Sequence, residues 1–281
     1  KEGDWITLNG TKGTFFQKKL AMIDATSENK YLNEFLKICD SIRTLKIRTN
    51  ADTPDDAAKA RAFGAEGIGL FRTEHMFYGK GSEEPLFKLR KMIVSADEKE
   101  RRSALDELYS HVKSDIKGTL SAMAGFPVTF RLLDPPLHEF VPRSKEALAN
   151  LAGSLGISVD DLEKRAASLH ESNPMMGHRG VRLGVTYPEM TEMQVRAILE
   201  ATVELSQTGK KVSPEIMVPV VGAVKELDDQ KAIVERVYQE VCKKYNVKKI
   251  QFMYGTMIEI PRAALTADKI AQTAEFFSFG T

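Results

Sequence analysis

Short apolar runs alternate with helical segments along most of this chain, and this alternation constrains its fold more than any other feature. The strand-like runs fall near 45–49, 67–72, 128–133, 176–182, 215–221, 254–259 and 276–279. Repeated strand-then-helix units predict a parallel sheet. Seven such strands predict an α/β fold, a (β/α)8 TIM-type barrel that lacks its eighth unit. An open doubly wound sheet is the alternative.

Three helix starts carry capping signals. Thr53 precedes Pro54, which suits a first helical turn because its missing N–H needs no partner there. Gly64 can end that helix in a left-handed conformation. The other two starts are marked by Ser158 with Asp161 and by Thr191 with Gln194.

Composition indicates an ordinary globular protein. Hydrophobic residues make up 42% of the 281 residues and charged residues 28%, with a net charge of +1. There is no basic field to attract nucleic acid and no apolar stretch long enough for a membrane. Cys39 and Cys242 lack metal-ligand spacing and are expected to be reduced, packed thiols. We expect a cytoplasmic or organelle-matrix location.

The N-terminal region differs from the rest. Residues 3–13 form one strand-like run between glycines, which cannot bury its own faces and suggests the tail of a domain lying upstream. We therefore assign residues 1–14 to the remnant of another domain, 15–41 to a linker, and 42–281 to a barrel lacking its C-terminal end.

Charged residues stand at the ends of four apolar runs: Arg72, Arg131, Arg179 and Glu259. A charge in such a place loses hydration, so it needs a ligand, a metal or an opposite charge as compensation. Ligand-binding residues of barrels sit at the carboxyl ends of the strands. The pattern predicts a site there for an anionic ligand held partly by a metal ion.

Arg72 and Arg131 could converge on a carboxylate or a phosphoryl group, which guanidinium binds bidentately. The alternative is that Arg72 pairs with Glu74 and Arg131 with Asp134, and the residues alone favour neither. Asp134 could hold Arg131, bind a metal through water or cap the turn before two prolines.

The segment around His178 is dense in glycine and arginine. Gly177 and Gly180 allow a backbone to approach a ligand closely. Arg179 is the favoured inward residue, but Arg182 could take its place, since alternation along a strand allows only one of them. His178 is expected to be structural rather than a base.

Glu259 suits Mg²⁺, which prefers oxygen ligands and needs one or two from the protein. The alternative is an ion pair with Arg262 or with one of the strand-end arginines. Gly280 and Thr281 could offer backbone N–H groups to an anion.

Several motifs resemble the phosphoenolpyruvate-utilising enzymes, in forms similar to the pyruvate, phosphate dikinase group. They are Gly-Asp-Trp-Ile-Thr-Leu-Asn-Gly at 3–10, Gly-Ile-Gly-Leu-Phe-Arg-Thr-Glu-His-Met-Phe at 67–77, Phe-Arg-Leu-Leu-Asp-Pro-Pro-Leu-His-Glu-Phe at 130–140, Asn-Pro-Met-Met-Gly-His-Arg-Gly at 173–180, Gly-Thr-Met-Ile-Glu-Ile-Pro-Arg-Ala-Ala-Leu at 255–265 and Phe-Phe-Ser-Phe-Gly-Thr at 276–281. The resemblance covers nearly the whole chain.

The resemblance implies a barrel that binds pyruvate or phosphoenolpyruvate with Mg²⁺, and a phosphohistidine on a separate swivelling domain that exchanges its phosphoryl group with the enolate of pyruvate. For the whole enzyme, the resemblance implies that ATP, phosphate and pyruvate are interconverted with AMP, diphosphate and phosphoenolpyruvate. By motif, Arg72 and Arg131 would bind the substrate, Arg179 would stabilise the transition state and Glu259 would bind Mg²⁺. Gly280 and Thr281 would line the pocket.

The resemblance also implies parts that this chain lacks. The family's Asn-Asp pair, its catalytic cysteine, its phosphohistidine and its nucleotide-binding domain all fall outside residues 1–281, so this chain alone is expected to be inactive. It implies a homodimer formed through the barrel. The alternatives are an inactive dimerisation or scaffold fragment, a phosphoenolpyruvate synthase, or another Mg²⁺-dependent barrel enzyme that stabilises an enolate, such as a lyase.

Overall fold

The computed structural model describes residues 2–22, 29–78, 81–142, 144–173 and 176–280. The strands are β1 (Thr7–Asn9), β2 (Thr14–Phe16), β3 (Thr49–Asn50), β4 (Ile68–Arg72), β5 (Pro127–Arg131), β6 (Ser213–Val218), β7 (Met253–Ile258) and β8 (Phe276–Phe279). The helices are α1 (Lys30–Ile42), α2 (Pro54–Ala62), α3 (Glu83–Ile93), α4 (Glu98–Ala122), α5 (Lys145–Leu155), α6 (Val159–Ser168), α7 (Val181–Thr186), α8 (Pro188–Gln207), α9 (Val224–Tyr245), α10 (Pro261–Leu265) and α11 (Ala267–Ile270). Short 3-10 helices span Thr73–Phe77 and Leu137–Phe140.

The chain divides into two compact units, residues 1–45 and 46–281. In the first unit, β1 and β2 form an antiparallel hairpin in which Thr7 pairs with Phe16. Helix α1 begins at an Asn29 cap whose side chain accepts the Leu32 N–H, and it buries none of its side chains. The division into residues 1–14, 15–41 and 42–281 stays a prediction.

The second unit is built on a six-stranded parallel sheet in the order β3-β4-β5-β6-β7-β8. Each strand pairs with the next one along the chain, which is the arrangement of a barrel wall rather than of a doubly wound sheet. The predicted α/β fold of an incomplete TIM-type barrel is confirmed. All carboxyl ends therefore lie along one edge, and Arg72 pairs in register with Arg131 there.

The strand predicted at 176–182 is wrong, and with it the count of about seven strands. Residues 176–180 form a turn, and the chain then enters α7. Gly180 adopts a φ of 56°, its N–H donates to the Asp134 carbonyl (3.0 Å), and the Val181 N–H donates to the Pro219 carbonyl (3.0 Å). These hydrogen bonds hold the segment against the carboxyl ends of β5 and β6 and not between them, and β5 therefore pairs directly with β6.

Two of the three predicted caps are confirmed. The Thr53 hydroxyl accepts the Asp56 N–H (3.1 Å) at the start of α2, and Ser158 caps α6 in the same way. The third is wrong, because α8 begins at Pro188 and Thr191 lies inside it. The Thr191 hydroxyl instead donates to the Gln230 side chain (2.7 Å).

Side chains between the sheet and the outer helices form one core. Phe71 of β4 and Phe130 of β5 are fully buried and meet edge to face, with ring centroids 5.1 Å apart. Outside them, α4, α8 and α9 pack side by side and are joined by ion pairs, as where the buried Glu200 accepts from Lys113 and Lys244. This scaffold fixes the strand ends. None of the described helices is long and apolar enough to cross a membrane.

Candidate active site

Arg72 stands at the end of β4 and is held by Asp52, which lies just after the neighbouring strand β3. Its guanidinium lies 3.0 Å from the Asp52 carboxylate, and its backbone N–H donates to the other Asp52 oxygen (2.9 Å). The His75 ring nitrogen Nδ1 lies 2.8 Å from the same carboxylate. The Arg72 guanidinium therefore pairs with Asp52, and not with Glu74 as the alternative interpretation expected.

Arg131 ends β5 between two carboxylates. One terminal nitrogen lies 3.0 Å from Asp134, as the alternative interpretation expected, and the other makes a short contact with Glu74. Glu74 and Asp134 are 3% and 1% exposed. Burial raises the pKa of the Glu74 carboxyl above its ordinary value, and the nearby charge of Arg131 opposes that rise.

Arg179 reaches the same aspartate from the turn before α7. Its Nε and one terminal nitrogen donate to the two oxygens of Asp134, at 3.0 and 2.6 Å, in a bidentate pair. This pairing raises the pKa of Arg179, against the effect of its burial. Asp134 thus joins Arg131 and Arg179 at the carboxyl end of the sheet.

Arg182, the alternative to Arg179, binds backbone carbonyls of its own loop. Its guanidinium donates to the carbonyls of Met176 (3.0 Å) and Gly177 (2.7 Å). The His178 Nε2 lies 2.9 Å from the Thr186 hydroxyl and 3.2 Å from the Arg182 carbonyl. Of the two arginines, it is Arg179 that contacts the strand-end carboxylates.

Glu259 follows β7 and faces a strained turn. Its Oε1 accepts the Val220 N–H at 2.7 Å, and among the described residues no ion pair joins it to Arg262. Val220 has a φ of 62°, which is costly for a β-branched residue. A Cβ at Gly280 would lie 2.9 Å from the Glu259 Cβ, so only glycine fits there without displacement. Thr281 lies outside the described residues.

The residues present fit a magnesium ion better than a transition metal. Within the described part of the chain there is no cluster of three or more His, Cys, Asp or Glu side chains that could hold a metal. Mg²⁺ is commonly held by one or two carboxylates together with water and substrate oxygens. Glu259 meets that requirement, since only one of its oxygens is used by Val220.

The sequence did not reveal three of the residues that support this site: Asp52, Glu74 as a partner of Arg131, and Gln194. Gln194 is buried on α8, and its side-chain oxygen accepts from the Thr73 hydroxyl (3.1 Å) and the Leu133 N–H (2.9 Å). It therefore ties together the segments that follow β4 and β5. The sequence feature that could have indicated Gln194 is its position: it lies four residues after Met190 and four before Ile198, so it is a polar residue on the apolar face of the helix.

The chain belongs to the family of phosphoenolpyruvate-utilising enzymes: the model of their phosphoenolpyruvate-binding domain matches residues 26–281. Proteins similar to it within that family include several pyruvate, phosphate dikinases. It is 49% identical to the enzyme of Clostridium symbiosum and 48% identical to that of Giardia intestinalis, over 281 residues. It is 48% identical over 282 residues to the chloroplastic enzyme of Mesembryanthemum crystallinum. Each match covers all of this chain but only 32%, 31% and 29% of the relative, so the chain spans about a third of their length.

Proposed function

We propose that this chain is the phosphoenolpyruvate- and pyruvate-binding part of a pyruvate, phosphate dikinase. The observation that carries this proposal is the group of three arginines and one glutamate around the carboxyl ends of the sheet, in a chain similar to those enzymes throughout its length. The longer protein would interconvert ATP, phosphate and pyruvate with AMP, diphosphate and phosphoenolpyruvate.

Each residue has a proposed role. Arg72 and Arg131 bind the phosphoryl and carboxylate groups of the substrate, and Arg179 adds positive charge where the phosphoryl group is transferred. Glu259 holds Mg²⁺, which would stabilise the enolate oxygen of pyruvate. Gly280 keeps the backbone close to Glu259, and Thr281 would complete the pocket wall.

The internal ion pairs support this assignment. Arg72, Arg131 and Arg179 are each aligned by a carboxylate, so their guanidinium groups lose little further freedom when a ligand binds. Phosphoryl transfer is catalysed mainly by positioning and charge neutralisation, which this arrangement supplies.

The finer features of the longer protein are also proposals. Phosphohistidine and nucleotide-binding domains would act with this barrel. Residues 1–14 would be the C-terminal end of the swivelling phosphohistidine domain, and residues 15–41 would form the hinge. We propose a homodimer in the cytoplasm or an organelle matrix, with no nucleic acid or membrane partner.

The test is a calorimetric titration with oxalate, an analogue of the pyruvate enolate, with and without Mg²⁺. We expect binding that requires Mg²⁺ and that weakens about tenfold or more in Glu259→Gln, because the neutral amide is a poorer Mg²⁺ ligand. The exposed Glu163 on α6 provides the control, Glu163→Gln. Equal oxalate affinity in Glu259→Gln and the parent would refute the assignment of Glu259. Lack of oxalate binding by the parent would favour a scaffold role.

A further inference from the structure

Glu74 is a buried carboxylate that forms one ion pair with the residues that the structure describes. It lies in the 3-10 helix after β4, and its Oε1 contacts a terminal nitrogen of Arg131. Its other oxygen, Oε2, is buried and has no hydrogen-bond partner among the described residues, and the same holds for the Nε of Arg131. The two groups therefore meet at a single point, although both have the shape for a bidentate pair.

The guanidinium that compensates Glu74 is shared. Arg131 also pairs with Asp134, whose two oxygens accept from Arg179. Glu74 consequently depends on part of one positive charge, with only 3% of its surface exposed to solvent. A buried carboxylate with incomplete compensation is the kind of group that accepts a proton when its surroundings become more negative.

An anionic ligand at Arg131 makes the surroundings of Glu74 more negative. It draws on the same guanidinium charge and adds its own negative charge nearby. The negative charge of Asp134 also raises the pKa of Glu74, and Tyr78, which follows the same 3-10 helix, is another titratable group that interacts with it. The carboxylate of Asp134 is held by Arg179, Gln194 reaches the segment from α8 through Thr73, and His111 of α4 faces the Met76 carbonyl (3.3 Å). His75 on the same 3-10 helix faces Asp52.

We propose that Glu74 takes up one proton from solvent, at Oε2, when an anionic ligand binds to Arg131. The proton neutralises Glu74, so the positive charge of Arg131 can pair with the ligand. The added proton also offsets a negative charge that the ligand brings into the buried site. The proton leaves a hydronium ion or a buffer acid, whose bond to it breaks as the O–H bond of Glu74 forms, and no other bond changes. The inference rests on the proposed function for the nature of the ligand.

The dependence on pH follows from the direction of the shift. Burial holds the pKa of Glu74 above its ordinary value in the free protein, and the ligand raises it further. Between the free and bound pKa values, ligand affinity falls as pH rises, by up to about tenfold for each pH unit. Above the bound value no proton is taken up and the affinity becomes constant.

The experiment measures proton uptake with Mg²⁺ and oxalate. Calorimetric titrations at one pH, in buffers with different ionisation enthalpies, give the number of protons bound as the slope of the observed enthalpy. Repeating them across acidic and neutral pH locates the range in which uptake occurs. We expect uptake approaching one proton in the parent, and none in Glu74→Gln, which keeps the shape of the protonated acid. The affinity of Glu74→Gln should lose the corresponding pH dependence.

Two further variants separate Glu74 from other sources of the proton. Glu74→Asp keeps an ionisable carboxyl and should keep the uptake, while His75→Gln removes the nearby imidazole and should leave the uptake unchanged. Circular dichroism checks that each variant is folded. Oxalate binding without proton uptake, or uptake that persists in Glu74→Gln, would overturn this inference alone. Failure of the parent to bind oxalate would overturn it together with the proposed function.

Discussion

Asp134 shows how much of this site depends on one side chain. It is 1% exposed, and its two oxygens accept from both Arg131 and Arg179. A buried carboxylate is tolerated when it is paired in this way, and it aligns its partners in return. The arrangement makes Asp134 a positioning residue for two arginines that come from different segments.

The contrast between Arg179 and Arg182 gives a prediction at this scale. Arg179→Lys should weaken Mg²⁺-dependent phosphoenolpyruvate binding about tenfold or more, because lysine cannot form the bidentate pair with Asp134. Oxalate, which has no phosphoryl group, should lose less affinity. The control Arg182→Lys alters only contacts to the carbonyls of Met176 and Gly177 and should change both affinities less than threefold.

Calorimetry with both ligands checks this prediction. A larger loss for oxalate than for phosphoenolpyruvate, or equal losses in Arg179→Lys and Arg182→Lys, would contradict the role proposed for Arg179.

The sequence allowed the strand-end arginines to be predicted but not most of their partners. Arg72 and Arg131 stand at the ends of apolar runs, and a charge in that place can be recognised from the sequence alone. Asp52 lies 20 positions from Arg72, and Asp134 lies 45 positions from Arg179, so their pairing depends on strand order. Only the pair of Arg131 with Asp134 could be predicted from neighbouring positions in the sequence, because these residues are three positions apart.

At the scale of elements, α8 does more than cover the sheet. Gln194 extends from its buried face to the segments that follow β4 and β5, and its side-chain nitrogen donates to the Met190 carbonyl (3.0 Å). One helix therefore sets the spacing of the two strand ends that carry Arg72 and Arg131.

Gln194→Met should lower the free energy of unfolding by about 2–4 kcal/mol, because it leaves the Thr73 hydroxyl and the Leu133 N–H buried without an acceptor. It should also weaken oxalate binding. The matched control is Gln207→Met at the exposed end of the same helix, which should change stability by less than about 0.5 kcal/mol. Urea denaturation and calorimetry measure the two effects, and equal stability losses in both variants would contradict the prediction.

Periodicity predicted five of the six sheet strands close to their observed positions, and β3 only in part. The failure at 176–182 has a physical cause: the backbone of Gly180 and Val181 bonds to the carbonyls of Asp134 and Pro219 at the strand ends. Those partners are distant in the chain. Gln194 was misread for a related reason, since a polar residue near Thr191 resembles a cap until the start of α8 is known.

At the scale of the whole sheet, the six strands of the described residues run in one order, with an edge at β3 and another at β8. Unpaired edges promote association with other chains. The β8 edge also carries Phe279, which is 70% exposed. We therefore expect the 281-residue chain to dimerise or aggregate in solution.

Phe279→Lys should raise the monomer fraction in sedimentation, because lysine on an edge strand opposes strand pairing. The control is Leu265→Lys, since Leu265 is 84% exposed but lies in α10, outside the sheet. If the parent sediments as a clean monomer, or if both variants dissociate it equally, association through the β8 edge is excluded.

The left-handed backbone at Val220 also bears on attempts to make this domain withstand heat. Glycine there would relieve a steric cost of about 1–2 kcal/mol, which is offset by the loss of the buried Val220 side chain. The same peptide group, however, orients Glu259 through its N–H. On the role proposed for Glu259, relaxing the turn would also lower Mg²⁺ affinity, so a stabilising substitution at Val220 should be tested for Mg²⁺-dependent oxalate binding as well as for thermal stability.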